Sequence, residues 1–101
     1  MALRMPRLEI RDPAKAELHV FLTEHPETRE TVLVENFSPH GARAFSSHPW
    51  HHEDRVVAKA VKGSFLALGR VVYCTSLDHG HEGFTIGIEF FFPSGDLEER
   101  T

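Results

Sequence analysis

The chain has 101 residues, enough for one domain, and its 41% hydrophobic and 26% charged content is ordinary globular usage, which excludes wholesale disorder. Eleven basic and fifteen acidic residues leave a net charge of −4, the wrong balance for a broad nucleic-acid surface. The one long apolar run, Phe84 to Phe92, is broken by Thr85, Gly87 and Glu89 and is about half the length of a membrane-spanning helix.

Taken in chain order, residues 1–15 read as a flexible basic arm. Arg4, Arg7 and Arg11 face only Glu9 within the first eleven residues, so that segment is +2 and the rest of the chain is −6. Asp12-Pro13 stops any helix that begins there, because proline disfavours helical geometry in the residue before it. Met1 to Ile10 holds two arginines and no sustained apolar core, so it does not read as a secretory signal. The single cysteine, Cys74, forms no internal disulfide, and together these features point to a reducing, cytoplasmic setting.

From residue 16 the pattern is strand after strand, and residues 16–92 are expected to form the folded body. Leu18, Val20 and Leu22 alternate with Glu17, His19 and Phe21. Thr23 to Glu27 is a polar turn, and Thr28 to Phe37 a second strand rich in β-branched residues. Ser38-Pro39-His40-Gly41 is a turn, Ala42 to Ser46 a short third strand, and Ser47 to Asp54 a polar loop. Arg55 to Val61, Phe65 to Thr75 and Phe84 to Phe91 complete six strands. The tail, 93–101, is expected to hold at most a short helix starting at Ser94 or Asp96. Six short strands with turns about every ten residues imply an all-β sandwich or closed barrel, and a closed antiparallel barrel leaves the fewest unpaired edges.

Two short patterns carry the chemistry. Arg7-Leu8-Glu9-Ile10-Arg11 sets two arginines four apart, and Asn36-Phe37-Ser38-Pro39-His40-Gly41 is an Asn-x-Ser-x-x-Gly at a strand-to-strand turn. Arginine binds phosphate oxygens through a planar fork, pairs with the O6 and N7 edge of guanine, and stacks on purines. Asn36 both donates and accepts hydrogen bonds, Ser38 offers a hydroxyl, and Gly41 allows close backbone approach or positive φ. In this order the two patterns resemble the PilZ domain family. Gly69-Arg70-Val71-Val72-Tyr73 and Gly87-Ile88-Glu89-Phe90 look like that family's fifth and sixth strands, so the resemblance covers roughly residues 4 to 92.

The resemblance implies a six-stranded antiparallel barrel of split-barrel type that binds the bacterial second messenger cyclic di-GMP, with no catalytic activity, cofactor or metal. Arg7 and Arg11 would clamp the ligand, Asn36, Ser38 and Gly41 would form its platform, and Arg4, His40 and Arg43 are secondary contacts. Ordering of the arm would relay the signal to a protein partner, with no nucleic acid or membrane involved; a homodimer is compatible with so small a barrel. The alternative is a PilZ-like adaptor that binds no nucleotide and works through protein contacts. Two departures bear on affinity: Glu9 and Asp12 flank Arg11, and Pro6 stands where some members carry a further arginine, which suits one ligand molecule rather than a stacked pair.

His48, His51 and His52 beside Glu53 and Asp54, with His79 and His81 further on, raise a rival reading as a metal-dependent enzyme. Adjacent loop residues tend to point apart, and a solvated loop accounts for them. Cys74 reads as a small core residue rather than a nucleophile. Phe90-Phe91-Phe92 reads as core plus one exposed ring, and Trp50 as either core or contact.

Overall fold

A computed structural model describes residues 16–77 and 82–99. It contains six strands: β1 (Glu17–Leu22), β2 (Arg29–Ser38), β3 (Gly41–Ser46), β4 (Arg55–Ala60), β5 (Leu66–Ser76) and β6 (Phe84–Ser94). They close into an antiparallel barrel in the order β1-β2-β3-β6-β5-β4, and β4 pairs back with β1 from Leu22↔Val56 to Leu18↔Ala60. Closure leaves no free edge along that ring, which removes the unpaired donors and acceptors that a flat six-stranded sheet would expose. No helix among the described residues is long and apolar enough to cross a membrane.

The period-two pattern explains why these segments are strands and which face each residue takes. Leu18 and Val20 of β1, Val32 and Val34 of β2, Val56 and Ala58 of β4, Val71 of β5 and Ile86 and Ile88 of β6 point inward and fill the barrel. At one end Phe37, Phe65 and Phe90 form an aromatic plug, with ring centroids 4.9 Å (37–65), 5.8 Å (37–90) and 5.0 Å (65–90) apart.

The tail forms no helix among the described residues. β6 runs past its expected end at Phe91 to Ser94, and Leu97 bridges to Gly63 in the β4–β5 turn. The Asp96 carbonyl accepts the Phe65 amide at 2.8 Å, and the Glu98 amide donates to the Lys62 carbonyl at 3.0 Å. Those backbone groups are spent on pairing with the β4–β5 turn, and Leu97 packs against the core, so a helical turn at Ser94 would forfeit both. Gly63 makes the crossing possible: it has φ +108°, and a Cβ there would strike the Asp96 carbonyl oxygen.

Candidate ligand-binding face

The Asn-x-Ser-x-x-Gly segment lies on the outside of the barrel, and a β-bulge puts it there. Val34 pairs with Ala44 but Asn36 pairs with Arg43, so Glu35 is an extra residue on β2. The bulge shifts the alternation by one. Val32 and Val34 point inward before it and Phe37 after it, so Asn36 and Ser38 both face outward. Without the bulge Asn36 would take the same face as Val34.

A second bulge does the same on β5. Val71 pairs with Ile88 and Tyr73 with Gly87, leaving Val72 as the extra residue. Tyr73 is thereby turned out instead of following Gly69 and Val71 inward, and Cys74 is turned toward the core. One outer rung therefore runs Asn36, Arg43, Gly87, Tyr73 across β2, β3, β6 and β5. The tyrosine ring lies across Gly87, where a Cβ would run into it, so the missing side chain is what allows an aromatic ring to lie flat there.

Pro39 and His40 form the two-residue tip between Ser38 and Gly41. The His40 amide donates to Ser38 Oγ at 3.1 Å, which leaves the serine hydroxyl hydrogen free to donate outward. The His40 carbonyl accepts the Phe90 amide at 2.9 Å, tying the tip to β6 while its side chain stays exposed. Gly41 is required by close approach: a Cβ there would meet the Ile88 carbonyl oxygen, a backbone atom held in the β3–β6 ladder. Gly41→Ala is therefore expected to cost about 1–3 kcal/mol through overpacking. That corresponds to a fall in Tm of roughly 5–20 °C by thermal melt for a domain of this size.

Charges beside this face are mostly paired. Arg70 donates from Nε to Glu89 at 2.8 Å and from Nη1 to Glu53 at 2.6 Å. Glu89 sits in the rung next to Gly41, so Arg70 offsets the acid closest to the turn. Arg43 makes only a loose, exposed contact with Glu35 at 3.8 Å, so its guanidinium is free to turn to another partner at little cost.

Trp50 is buried, and its burial depends on a residue twenty positions away. Glu30 on β2 accepts hydrogen bonds from Ser46 Oγ at 2.6 Å, the Ser47 amide at 2.6 Å, Ser47 Oγ at 2.9 Å and Trp50 Nε1 at 3.1 Å. Partial burial pushes the Glu30 carboxyl up, but these four hydrogen bonds together outweigh it and hold the group below the ordinary value of 4.5. A folded value below the unfolded one means the ionised group stabilises the fold above the unfolded value. That contribution is lost as pH falls through the folded one. Glu30→Gln is expected to lower Tm at pH 7 and to flatten the dependence of Tm on pH below about 4.5, measured by melts across an acid series.

The histidine loop is a set of separate exposed contacts. His51 lies 3.9 Å from Asp54 and His52 3.4 Å from Glu53, and no group of three His, Cys, Asp or Glu among the described residues could hold a metal ion. Burial raises the Cys74 thiol above its ordinary range, which disfavours the thiolate a nucleophile needs.

Of the residues singled out in the sequence, Asn36, Ser38, His40, Gly41 and Arg43 come together at one end of the β2–β3 hairpin. Arg4, Arg7, Arg11, Glu9 and Asp12 lie outside the described residues, as do His79 and His81. Tyr73 joins the rung although no motif marked it as a site residue. Its signal was the phase break from Gly69 and Val71 to Cys74. Compared with known proteins, the chain matches no family model, no curated protein and no solved structure.

Proposed function

We propose that the chain is a cyclic di-GMP receptor of PilZ type that binds its ligand on the outer face of β2, β3, β6 and β5. The observation that carries this reading is the bulge at Glu35, which turns Asn36 and Ser38 outward into a rung shared with Arg43 and Tyr73. An edge-reading amide, a free hydroxyl, a loosely held guanidinium and a flat aromatic ring are the groups a guanine nucleotide needs.

The arm joins the barrel beside this face. The Ala16 carbonyl accepts the Val34 amide at 2.9 Å, two residues before Asn36. Arg11 is five residues upstream of Ala16, so its backbone lies within about 17 Å of that point, and Arg7 within about 30 Å. Chains of those lengths allow the guanidinium groups to reach a ligand on this rung. Arg7 and Arg11 would supply phosphate and guanine contacts, Asn36 a guanine edge contact, and Ser38 a hydroxyl donor. Binding would order the arm and change the surface offered to a protein partner, with no bond made or broken.

Amide chemical-shift mapping with ¹⁵N-labelled chain tests this placement. Added cyclic di-GMP is expected to move the amides of Asn36, Ser38, Gly87 and Tyr73 and to leave those of Phe21 and Val57 still. Shifts confined to the β1–β4 face, or none at all, would overturn the reading.

A further inference from the structure

The barrel wall over β1, β4, β5 and β6 carries an apolar rung that the nucleotide reading does not use. Phe21, Val57, Leu68 and Phe91 are successive cross-strand partners on β1, β4, β5 and β6, all on the outer face. Leu66, the next outward residue on β5, extends the patch; it is 46% exposed and Leu68 47%. Phe92 adds a ring that is 85% exposed.

Phe92 is held out at a cost. Leu68 pairs with Phe91 and Leu66 with Ser94, so β6 carries an extra residue at Phe92-Pro93. Phe92 has φ +53°, a left-handed conformation that glycine takes freely in such bulges and bulky side chains rarely adopt. A strained backbone that projects a large apolar ring into water serves neither the core nor the ladder, and strain of this kind gathers at binding sites.

The rim decides what the patch fits. Arg55 and Lys59 bracket Val57 along β4, and Arg29 is the cross-strand partner of Phe21. None of the three makes an ion pair among the described residues. We infer that this face docks an acidic amphipathic segment of a protein partner, apolar side chains on the Phe21–Phe91 rung and carboxylates on Arg29, Arg55 and Lys59. A second copy meeting this face about a two-fold axis would set cations of both copies around one rim. An anionic bilayer would meet the field of the whole acidic body and not the rim alone, whereas a short segment touches only the patch. The inference is independent of nucleotide binding and survives its failure.

The test is selection of a random twelve-residue display library on the immobilised whole chain, followed by fluorescence anisotropy with an enriched peptide. Enriched sequences are expected to combine Phe, Leu, Ile or Val with an excess of Asp and Glu. Leu68→Asn and Phe92→Gly are each expected to weaken binding at least tenfold. Phe92→Gly also relieves the backbone, so its Tm should be unchanged or higher, which separates lost contact from lost fold. Enrichment of neutral or basic peptides, no enrichment, or binding by either variant as tight as by the unaltered chain would overturn the inference. So would sedimentation with phosphatidylglycerol vesicles, or a dimer by ultracentrifugation that Leu68→Asn dissociates, without acidic-peptide binding.

Discussion

Replacing Phe37 by alanine is expected to remove about 3–5 kcal/mol of stability. Phe37 packs edge-on against Phe65 at 4.9 Å and tilted against Phe90 at 5.8 Å, and its removal takes one ring from a cluster of three. Total stabilities of single domains are about 5–15 kcal/mol, so the variant would be marginal. Its Tm should fall by roughly 15–30 °C. The same change reaches the outer face, because Phe37 is the inward residue between Asn36 and Ser38 and fixes their direction. Denaturant and thermal melts measure the loss; a loss under about 1 kcal/mol would mean that the plug is not what anchors the hairpin.

The second large effect is on ligand binding. Arg7→Ala with Arg11→Ala is expected to leave the melt unchanged, since both residues precede β1, which begins at Glu17. Each arginine contact to phosphate contributes about 1.5–3 kcal/mol, so removing both should weaken cyclic di-GMP binding by roughly 10²–10⁴-fold. Unchanged affinity in the double variant would remove the arm from the mechanism and leave the barrel face to act alone or through protein contacts. Glu9 and Asp12 flank Arg11, so Glu9→Gln is a useful companion: it should tighten binding if the acid competes with phosphate for the arginine.

The sequence announces the strands because half-buried strands write their burial at period two. Leu18 and Val20 of β1, and Val56 and Ala58 of β4, sit inside as their spacing requires. The turn at Ser38–Gly41 was equally plain, since proline and glycine mark it. What a fixed period cannot convey is a bulge. The inward residues Val32, Val34 and Phe37 skip one place at Glu35, and only that irregular spacing told which way Asn36 would face. The same slip at Val72 hid Tyr73. Trp50 was ambiguous because its partner, Glu30, is distant in sequence, and pairing across the barrel decides what local composition leaves open. Among the described residues the tail takes up no helix for a related reason, within the limit of at most a short one set by the sequence: backbone groups at Asp96 and Glu98 pair across the β4–β5 turn.

Under the proposed readings the two outer faces would divide the work. One carries hydrogen-bonding and aromatic groups suited to a nucleotide, the other an apolar rung beside cations that make no ion pair among the described residues. Between them Arg70 on β5 joins Glu89 on β6 and Glu53 in the loop before β4, and β5 and β6 are the strands that both faces share. A receptor that senses a small molecule and reports it to a protein would need two such surfaces, and under the proposed reading β5 and β6 would connect them.

Titration calorimetry of the whole chain with cyclic di-GMP, with GTP and cyclic GMP as controls, tests the central claim most directly. Saturable binding of cyclic di-GMP at micromolar concentration, with one ligand per chain and no heat from either control, is the predicted result. No heat from cyclic di-GMP at that concentration would contradict the receptor reading.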